Sequence, residues 1–228
     1  MAPHSFALLK PFADRVRVEL FTKERPAESF PACAQAVGVT AFATLNQVHG
    51  NRTVLMENES DRLEDADGMV TNHTDLALIV RGADCQIFVV YAPKQHVLGT
   101  LHAGWRGLVA GAIPAFFQTL RNHWGVAPAE TYVIAGPSLC TQCAAFTDPE
   151  KELPTIPRRF VRGRCVDLRA AADAALRTLG VPSTHVERHP ACTCCHPETY
   201  WTWRGSDRED VKAGQTNLLV CTLKEVLA

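Results

Sequence analysis

The repeat of apolar positions changes along the chain. Val16 to Thr22 alternates apolar and polar side chains, the two-residue period of a half-buried strand. Ala41 to Val48 and Thr53 to Glu57 read as strands around a turn that holds Gly50-Asn51. Leu76 to Val80, Ile87 to Tyr91 and Val97 to Leu101 are short apolar or β-branched runs ended by turn or polar residues. Helical spacing begins after Gly107: Ile113, Phe117, Leu120 and Trp124 fall on one face, Gly125 is the stop, and Pro114 predicts a late start or a bend. Tyr132 to Ala135 is a further buried strand. A second amphipathic helix spans Asp167 to Leu179, with Leu168, Ala172, Ala175, Leu176 and Leu179 facing inward and Gly180 after them. Pro149 to Arg164 has no period and reads as a surface loop, and Asn217 to Thr222 closes the chain as a strand. No break in composition divides the sequence, so the expectation is one α+β domain over residues 1–228.

Charge and composition narrow the function. The 23 Lys and Arg balance 24 Asp and Glu for a net charge of −1, which argues against a nucleic-acid partner, since phosphate recognition draws on many cations. The longest apolar stretch, Gly107 to Leu120, carries Pro114 and falls short of a membrane span. The first thirty residues show no basic start followed by an apolar run, so the expected setting is the cytoplasm, and the sequons at Asn51, Asn58 and Asn72 carry no weight. In that reducing setting, nine Cys beside nine His point to metal or catalysis more than to disulfides.

Three segments place ligand-type residues at strand ends: Gln47-Val48-His49-Gly50, Ala83-Asp84-Cys85-Gln86, and His102-Ala103-Gly104-Trp105-Arg106-Gly107. Imidazole and thiolate are preferred zinc ligands, and three of them with an open position make a catalytic site. Taken singly, however, a His beside a strand is usually hydrogen-bonded structure, and a Cys is usually a small buried hydrophobe. The spacing does not decide between these readings. Cys140-x-x-Cys143 and Cys192-Thr-Cys194-Cys195-His196, with His189 near them, have the close pairing of a structural zinc site, and buried or surface thiols are the alternative.

The order of the motifs adds to this reading. Gln47-Val48-His49-Gly50, Asp65-Ala66-Asp67-Gly68 with Val70-Thr71, Ala83-Asp84-Cys85 and the hexapeptide from His102 to Gly107 resemble the laccase-domain family. These proteins are also called multicopper polyphenol oxidase-like and are regarded as purine nucleoside phosphorylases. Looser matches at Ala135-Gly136-Pro137-Ser138, at the helix from Asp167 to Gly180 and at Cys192-Thr193 extend the resemblance over most of the chain from residue 45. It implies an α+β fold of mixed β-sheets packed between helical layers, like a cytotoxic necrotising factor domain. It also implies metal ligation by His49, Cys85 and His102, with zinc as the cofactor and copper as the alternative. The implied partners are a purine nucleoside (adenosine, inosine or a relative) and phosphate. The implied reaction is phosphorolysis, with adenosine deamination as a further implied activity, and the expected state is a monomer or homodimer.

Residue chemistry fits roles to that picture. Arg106 is the first candidate for phosphate and Arg204 the second, because guanidinium grips phosphate oxygens bidentately. Asp84 reads as orienting a ligand His, as shuttling a proton, or as capping the turn after Gly82. Asp67 reads as a turn residue. Trp105 reads as core, with Gly104 and Gly107 allowing close backbone approach. The family's first-strand Arg with a Gly-Gly turn is absent here; Phe21 to Pro26 stands instead, with Lys23 or Arg25 as the substitute cation. Two further functions use the same residues: copper-dependent phenol oxidation, and hydrolysis with Cys85 as nucleophile.

Overall fold

The uninterrupted apolar runs are strands buried on both faces. A computed structural model describes residues 6–225, with the side chains of 61–63 excepted. In chain order the strands are β1 (Val16–Phe21), β2 (Ala41–Asn46), β3 (Thr53–Leu55), β4 (Ser60–Asp65), β5 (Gly68–Thr71), β6 (Leu76–Gly82), β7 (Gln86–Ala92), β8 (Val97–Ala103), β9 (Tyr132–Ala135), β10 (Val161–Arg162), β11 (Cys165–Val166), β12 (Val186–Arg188) and β13 (Asn217–Leu223). The helices are α1 (Phe30–Ala36), α2 (Trp105–Val109), α3 (Ala112–Trp124), α4 (Pro149–Glu152), α5 (Leu168–Thr178) and α6 (Arg208–Lys212).

Two mixed sheets result, in the orders β1-β13-β6-β2-β4 and β12-β9-β7-β8-β5-β3. In the first, β2 runs parallel to both β6 and β4; in the second, β7 is antiparallel to β8 and β9. The sheets face each other across Leu20, Leu45, Leu78 and Val80 from one side and Ile87, Val89, Leu98 and Ile134 from the other. Alternate residues of β7 explain its run: Ile87, Val89 and Tyr91 enter this inter-sheet core, whereas Phe88 and Val90 point outward against Ile113, Phe116 and Leu120 of α3 and Leu176 of α5. The outer face of the first sheet is covered by α1, through Cys33 and Ala34 against Phe42, Ala77 and Ile79. The order of layers is therefore helix, sheet, sheet, helix, the α+β arrangement that the family resemblance implies.

Pro114 is accommodated because it occupies the first turn of α3, where its missing N–H has no helical acceptor to lose. Gly125 ends α3 in the left-handed region at φ 63°, as its place in the sequence predicts. Asp167 caps α5 by accepting from Ala170 N at 2.9 Å. The segment from Pro149 to Arg164 is not a plain loop: Asp148 caps the short α4, and Val161–Arg162 pairs with Cys165–Val166 in a small hairpin. The strands around Gly50-Asn51 do not pair with each other. β2 belongs to the first sheet and β3 to the second.

Packing at Gly99 in β8 is tight enough to test. A Cβ there would lie 2.6 Å from Val70 Cγ1, 2.7 Å from Phe116 Cζ and 2.9 Å from the Met69 carbonyl. Because one of these neighbours is backbone, Gly99→Ala is expected to destabilise the protein by about 1–3 kcal/mol, read as a lowered urea midpoint at unchanged m-value.

Candidate metal centre and pocket

The chain crosses between the two sheets at several places, and two of those crossings meet. One crossing, between β2 and β3, carries His49; another, between β6 and β7, carries Cys85. His102 lies near the end of β8, opposite Ile87. These two crossings bring the imidazoles of His49 and His102 and the Cys85 thiol together, with ligand atoms all within 4.8 Å of one another. The two rings stand edge to face with centroids 4.8 Å apart. Both His49 and Asp84, the residue before Cys85, adopt left-handed backbone, at φ 62° and 87°. Such sharp turns aim side chains inward from a strand end.

A single carboxylate organises this arrangement. Asp67 Oδ1 lies 2.7 Å from His102 Nδ1 and also accepts from His49 N at 2.9 Å, while Oδ2 accepts from Gly50 N at 2.6 Å. Burial would raise the carboxyl pKa, but these hydrogen bonds hold it below the usual carboxylate value. With Nδ1–H donated to Asp67, His102 presents Nε2 toward Cys85. Its side chain is only 3% exposed, and although burial lowers its pKa, Asp67 and Cys85 raise it to about 9. Conversely, burial pushes the Cys85 thiol up, yet hydrogen bonds from His102 and His49 bring it down to about 6. A thiolate, the His49 imidazole and a His102 ring that would give up its Nε2 proton to a metal, supported at Nδ1 by a carboxylate, form a donor set that suits a borderline-soft divalent metal.

Gly104 completes the fit. A Cβ there would sit 2.6 Å from Cys85 Sγ and 3.2 Å from His49 Cδ2, so the backbone must pass the ligand cradle bare. This is the close approach expected of Gly104.

The three side chains open into a pocket of about 980 Å³. Arg81, Arg106, Arg204 and Arg208 line it, as do Trp105 and Trp203. Arg106 lies 4.1 Å over the Trp105 ring, and Trp105 in turn packs edge-on against Phe146, so Trp105 is half core and half wall. Arg204 is partly committed: its guanidinium reaches the carbonyls of Cys143 and Ala145 and lies over Phe146. Trp203, 40% exposed, is the large apolar surface that sequence reading passed over.

Asp84 lines the pocket, but its carboxylate is occupied. Oδ1 accepts from Thr193 Oγ1 and Thr202 Oγ1, both at 2.7 Å, and Oδ2 accepts from Arg204 N at 2.6 Å. Of the parts offered for Asp84, the ligand-orienting one is played by Asp67, and Asp84 instead ties two chain segments, at Thr193 and at Thr202 to Arg204, to the turn before Cys85. Asp84→Asn removes an acceptor facing Arg204 N and is expected to cost about 2 kcal/mol of stability, measured by denaturant unfolding. Lys23 and Arg25 do not reach the pocket. Lys23 bonds Asp207 Oδ2 and the Pro197 carbonyl, both at 2.6 Å, and Arg25 pairs with Glu19 at 2.6 Å. His189 is buried between Phe6 and Tyr200, and His196 pairs with Glu198.

A two-sheet α+β fold thus gathers His49, Cys85 and His102, a group that could hold a metal ion, beside a substrate-sized pocket. The family follows from comparison. A family model described as multi-copper polyphenol oxidoreductase laccase matches residues 22–222, and the chain belongs to that family. It is 28% identical over 196 residues to purine nucleoside phosphorylase YlmD of Geobacillus stearothermophilus, covering 78% of this chain and 68% of that protein. The crystal structure of YlmD superposes with a TM-score of 0.78 over 95% of this chain and 94% of that one, at 21% identity. Mouse purine nucleoside phosphorylase LACC1 is 28% identical over 189 residues, 77% of this chain and 43% of that protein. Adenosine deaminase RL5, of an unknown prokaryotic organism, is 26% identical over 175 residues, 72% of this chain and 65% of its own length. By sequence, the matched regions thus span between two fifths and about two thirds of these relatives' lengths. Among the described residues no helix is long and apolar enough to cross a membrane.

Proposed function

We propose that the chain is a zinc-dependent enzyme of purine nucleoside metabolism that cleaves the N-glycosidic bond of inosine, adenosine and related nucleosides with phosphate. The observation that carries this reading is the convergence of His49, Cys85 and His102 on a pocket walled by arginine and tryptophan. Relatives named purine nucleoside phosphorylase support the reaction, and the relative named adenosine deaminase supports deamination as a further activity.

His49, Cys85 and His102 would hold the ion, which when bound supplies Lewis acidity toward oxygen at neutral pH. Zinc is favoured because imidazole and thiolate ligands with an open position are the catalytic zinc arrangement, and Met56 and Met69, which could have given copper a weak axial thioether, lie in the inter-sheet core. Asp67 fixes the His102 tautomer and the His49 loop, so that the ligands stay aimed without solvent reorganisation. Arg106 and Arg204 bind the phosphate, Arg106 as the more open fork. The exposed face of Trp203 covers the purine, because a flat aromatic surface stacks on a base without demanding one exocyclic pattern. A phosphate oxygen forms the bond to C1′ as the C1′–N9 bond breaks. The electron pair leaves on N9, and the proton of the phosphate ends on the base, giving ribose 1-phosphate and free purine. Asp84 acts at one remove, by holding Thr193, Thr202 and Arg204 around the pocket. The catalytic unit is a single domain over residues 1–228 acting in the cytoplasm, as a monomer or homodimer without nucleic-acid or membrane partners.

Incubation of zinc-loaded protein with inosine, with and without phosphate, tests this directly. The expected outcome is hypoxanthine with an equal amount of ribose 1-phosphate, only where phosphate is present. Absence of free base under both conditions rejects phosphorolysis. Conversion of adenosine to inosine without free base would leave deamination as the reaction.

A further inference from the structure

The described residues contain a second group of metal-type ligands, separate from His49, Cys85 and His102. Cys140 and Cys143 follow β9, in the turn after Ser138; Cys192 and Cys195 lie in the irregular segment after β12. An isolated bridge between Ser138 and Cys192 sets the two segments side by side. Each Cys-x-x-Cys curls into a turn closed by a backbone hydrogen bond, from Ala144 N to Cys140 O at 3.1 Å and from His196 N to Cys192 O at 3.2 Å. That curl turns sulfurs three residues apart toward a common point.

All four sulfurs lie within 4.8 Å of one another. Cys143 and Cys195 are 3.5 Å apart and Cys140 and Cys195 are 3.8 Å apart. A tetrahedral zinc with bonds of about 2.3 Å requires sulfurs separated by about 3.8 Å. The spacing matches that edge, and it is far longer than a disulfide bond of about 2.05 Å. It also leaves room for one ion and none for a multi-iron cluster. We propose that Cys140, Cys143, Cys192 and Cys195 form a tetrathiolate zinc site that clamps the loop after β9 to the segment after β12.

The surroundings show what such a clamp would do. Both segments lack regular structure, and the apolar cluster beneath them (Leu139, Ala144, Phe146, Leu153 and Val166) is small. A metal cross-link supplies order where a small core cannot. The clamped segments carry parts of the pocket wall: Leu139, Cys143 and Cys194 line it, Thr193 donates to Asp84, and Leu139 N donates to the Asp84 carbonyl. Cys194 belongs to this wall and not to the four-sulfur group. Without an ion the sulfurs share charge unevenly. Burial raises the Cys140 thiol, but the Cys143 N–H and the neighbouring thiols bring it down to about 7, while at Cys195 the Cys143 hydrogen bond lowers the thiol and Cys192 and Cys140 together outweigh it, pushing it up to about 11. A divalent cation takes the remaining protons off, releasing them to solvent, and converts four competing thiols into four ligands.

The site is tested apart from the nucleoside chemistry. A His49→Ala/Cys85→Ala double variant removes pocket ligands and leaves the four-sulfur group intact. After dialysis it is expected to retain about one zinc per chain by elemental analysis, and its cobalt derivative to show sulfur-to-metal charge transfer. In the unmodified protein, Cys195 is the informative thiol, because it is exposed yet should resist alkylation until zinc is withdrawn. Cys165, which bonds only the Gln142 carbonyl, should label in both states. The proposal fails if the double variant holds no zinc and Cys195 of the unmodified protein labels as fast as Cys165. It also fails if the site carries iron, or if mass spectrometry finds a disulfide among the four.

Discussion

Cys85→Ala is expected to lower kcat/KM for inosine phosphorolysis by more than about 100-fold, beyond what loss of a supporting hydrogen bond costs a metal site. Cys85 contributes the one anionic ligand: its thiol is held at about 6 by the two imidazoles, so it meets a cation already ionised near neutral pH. Alanine leaves two neutral nitrogen ligands, and the bound zinc should fall by about one equivalent per chain alongside the activity. Measuring both quantities on one preparation separates this account from its rival. Activity lost while that zinc is retained would make Cys85 a nucleophile, as in a thiol hydrolase.

Asp67→Asn is expected to weaken zinc binding or turnover about 10- to 100-fold while leaving every direct ligand in place. The carboxylate accepts from His102 Nδ1, His49 N and Gly50 N using both oxygens. Asparagine offers one oxygen, so its amide must face either the Gly50 N–H or the His49 and His102 donors. Chelator competition for zinc and the kcat against KM split are the measurements. A wild-type affinity and rate in Asp67→Asn would mean that the loop is held by its backbone alone.

The sequence was most legible where one rule acted alone. Two-residue alternation and apolar runs located β1, β6, β7, β8, β9 and β13 to within a residue or two, because each is buried on at least one face. β4 was missed since Ser60–Asp65 is an edge strand whose sequence is mostly polar, with β2 as its only neighbour. α1 went unread because Pro31 and Ala-rich, short spacing disguise a helix capped by Ser29. At the site, ligand-type residues at strand ends pointed to His49, Cys85 and His102, and motif order placed them together. The crossings between sheets that unite them are tertiary and leave no local mark. Asp67 and Asp84 exchanged their expected parts for the same reason. Both are acidic residues in short turn motifs, and only the fold shows that one faces an imidazole and the other three donors from later in the chain. Lys23 illustrates the limit of matching by charge, since its ammonium is taken up by Asp207 and the Pro197 carbonyl.

The central claim is that His49, Cys85 and His102 jointly hold zinc at the mouth of the pocket. Anomalous difference maps from crystals of the purified protein, collected on both sides of the zinc and copper absorption edges, test it most directly. The account predicts a peak that appears only above the zinc edge, bonded to Cys85 Sγ, His102 Nε2 and a nitrogen of His49. An empty constellation after zinc loading, or a peak that appears at the copper edge, would contradict it.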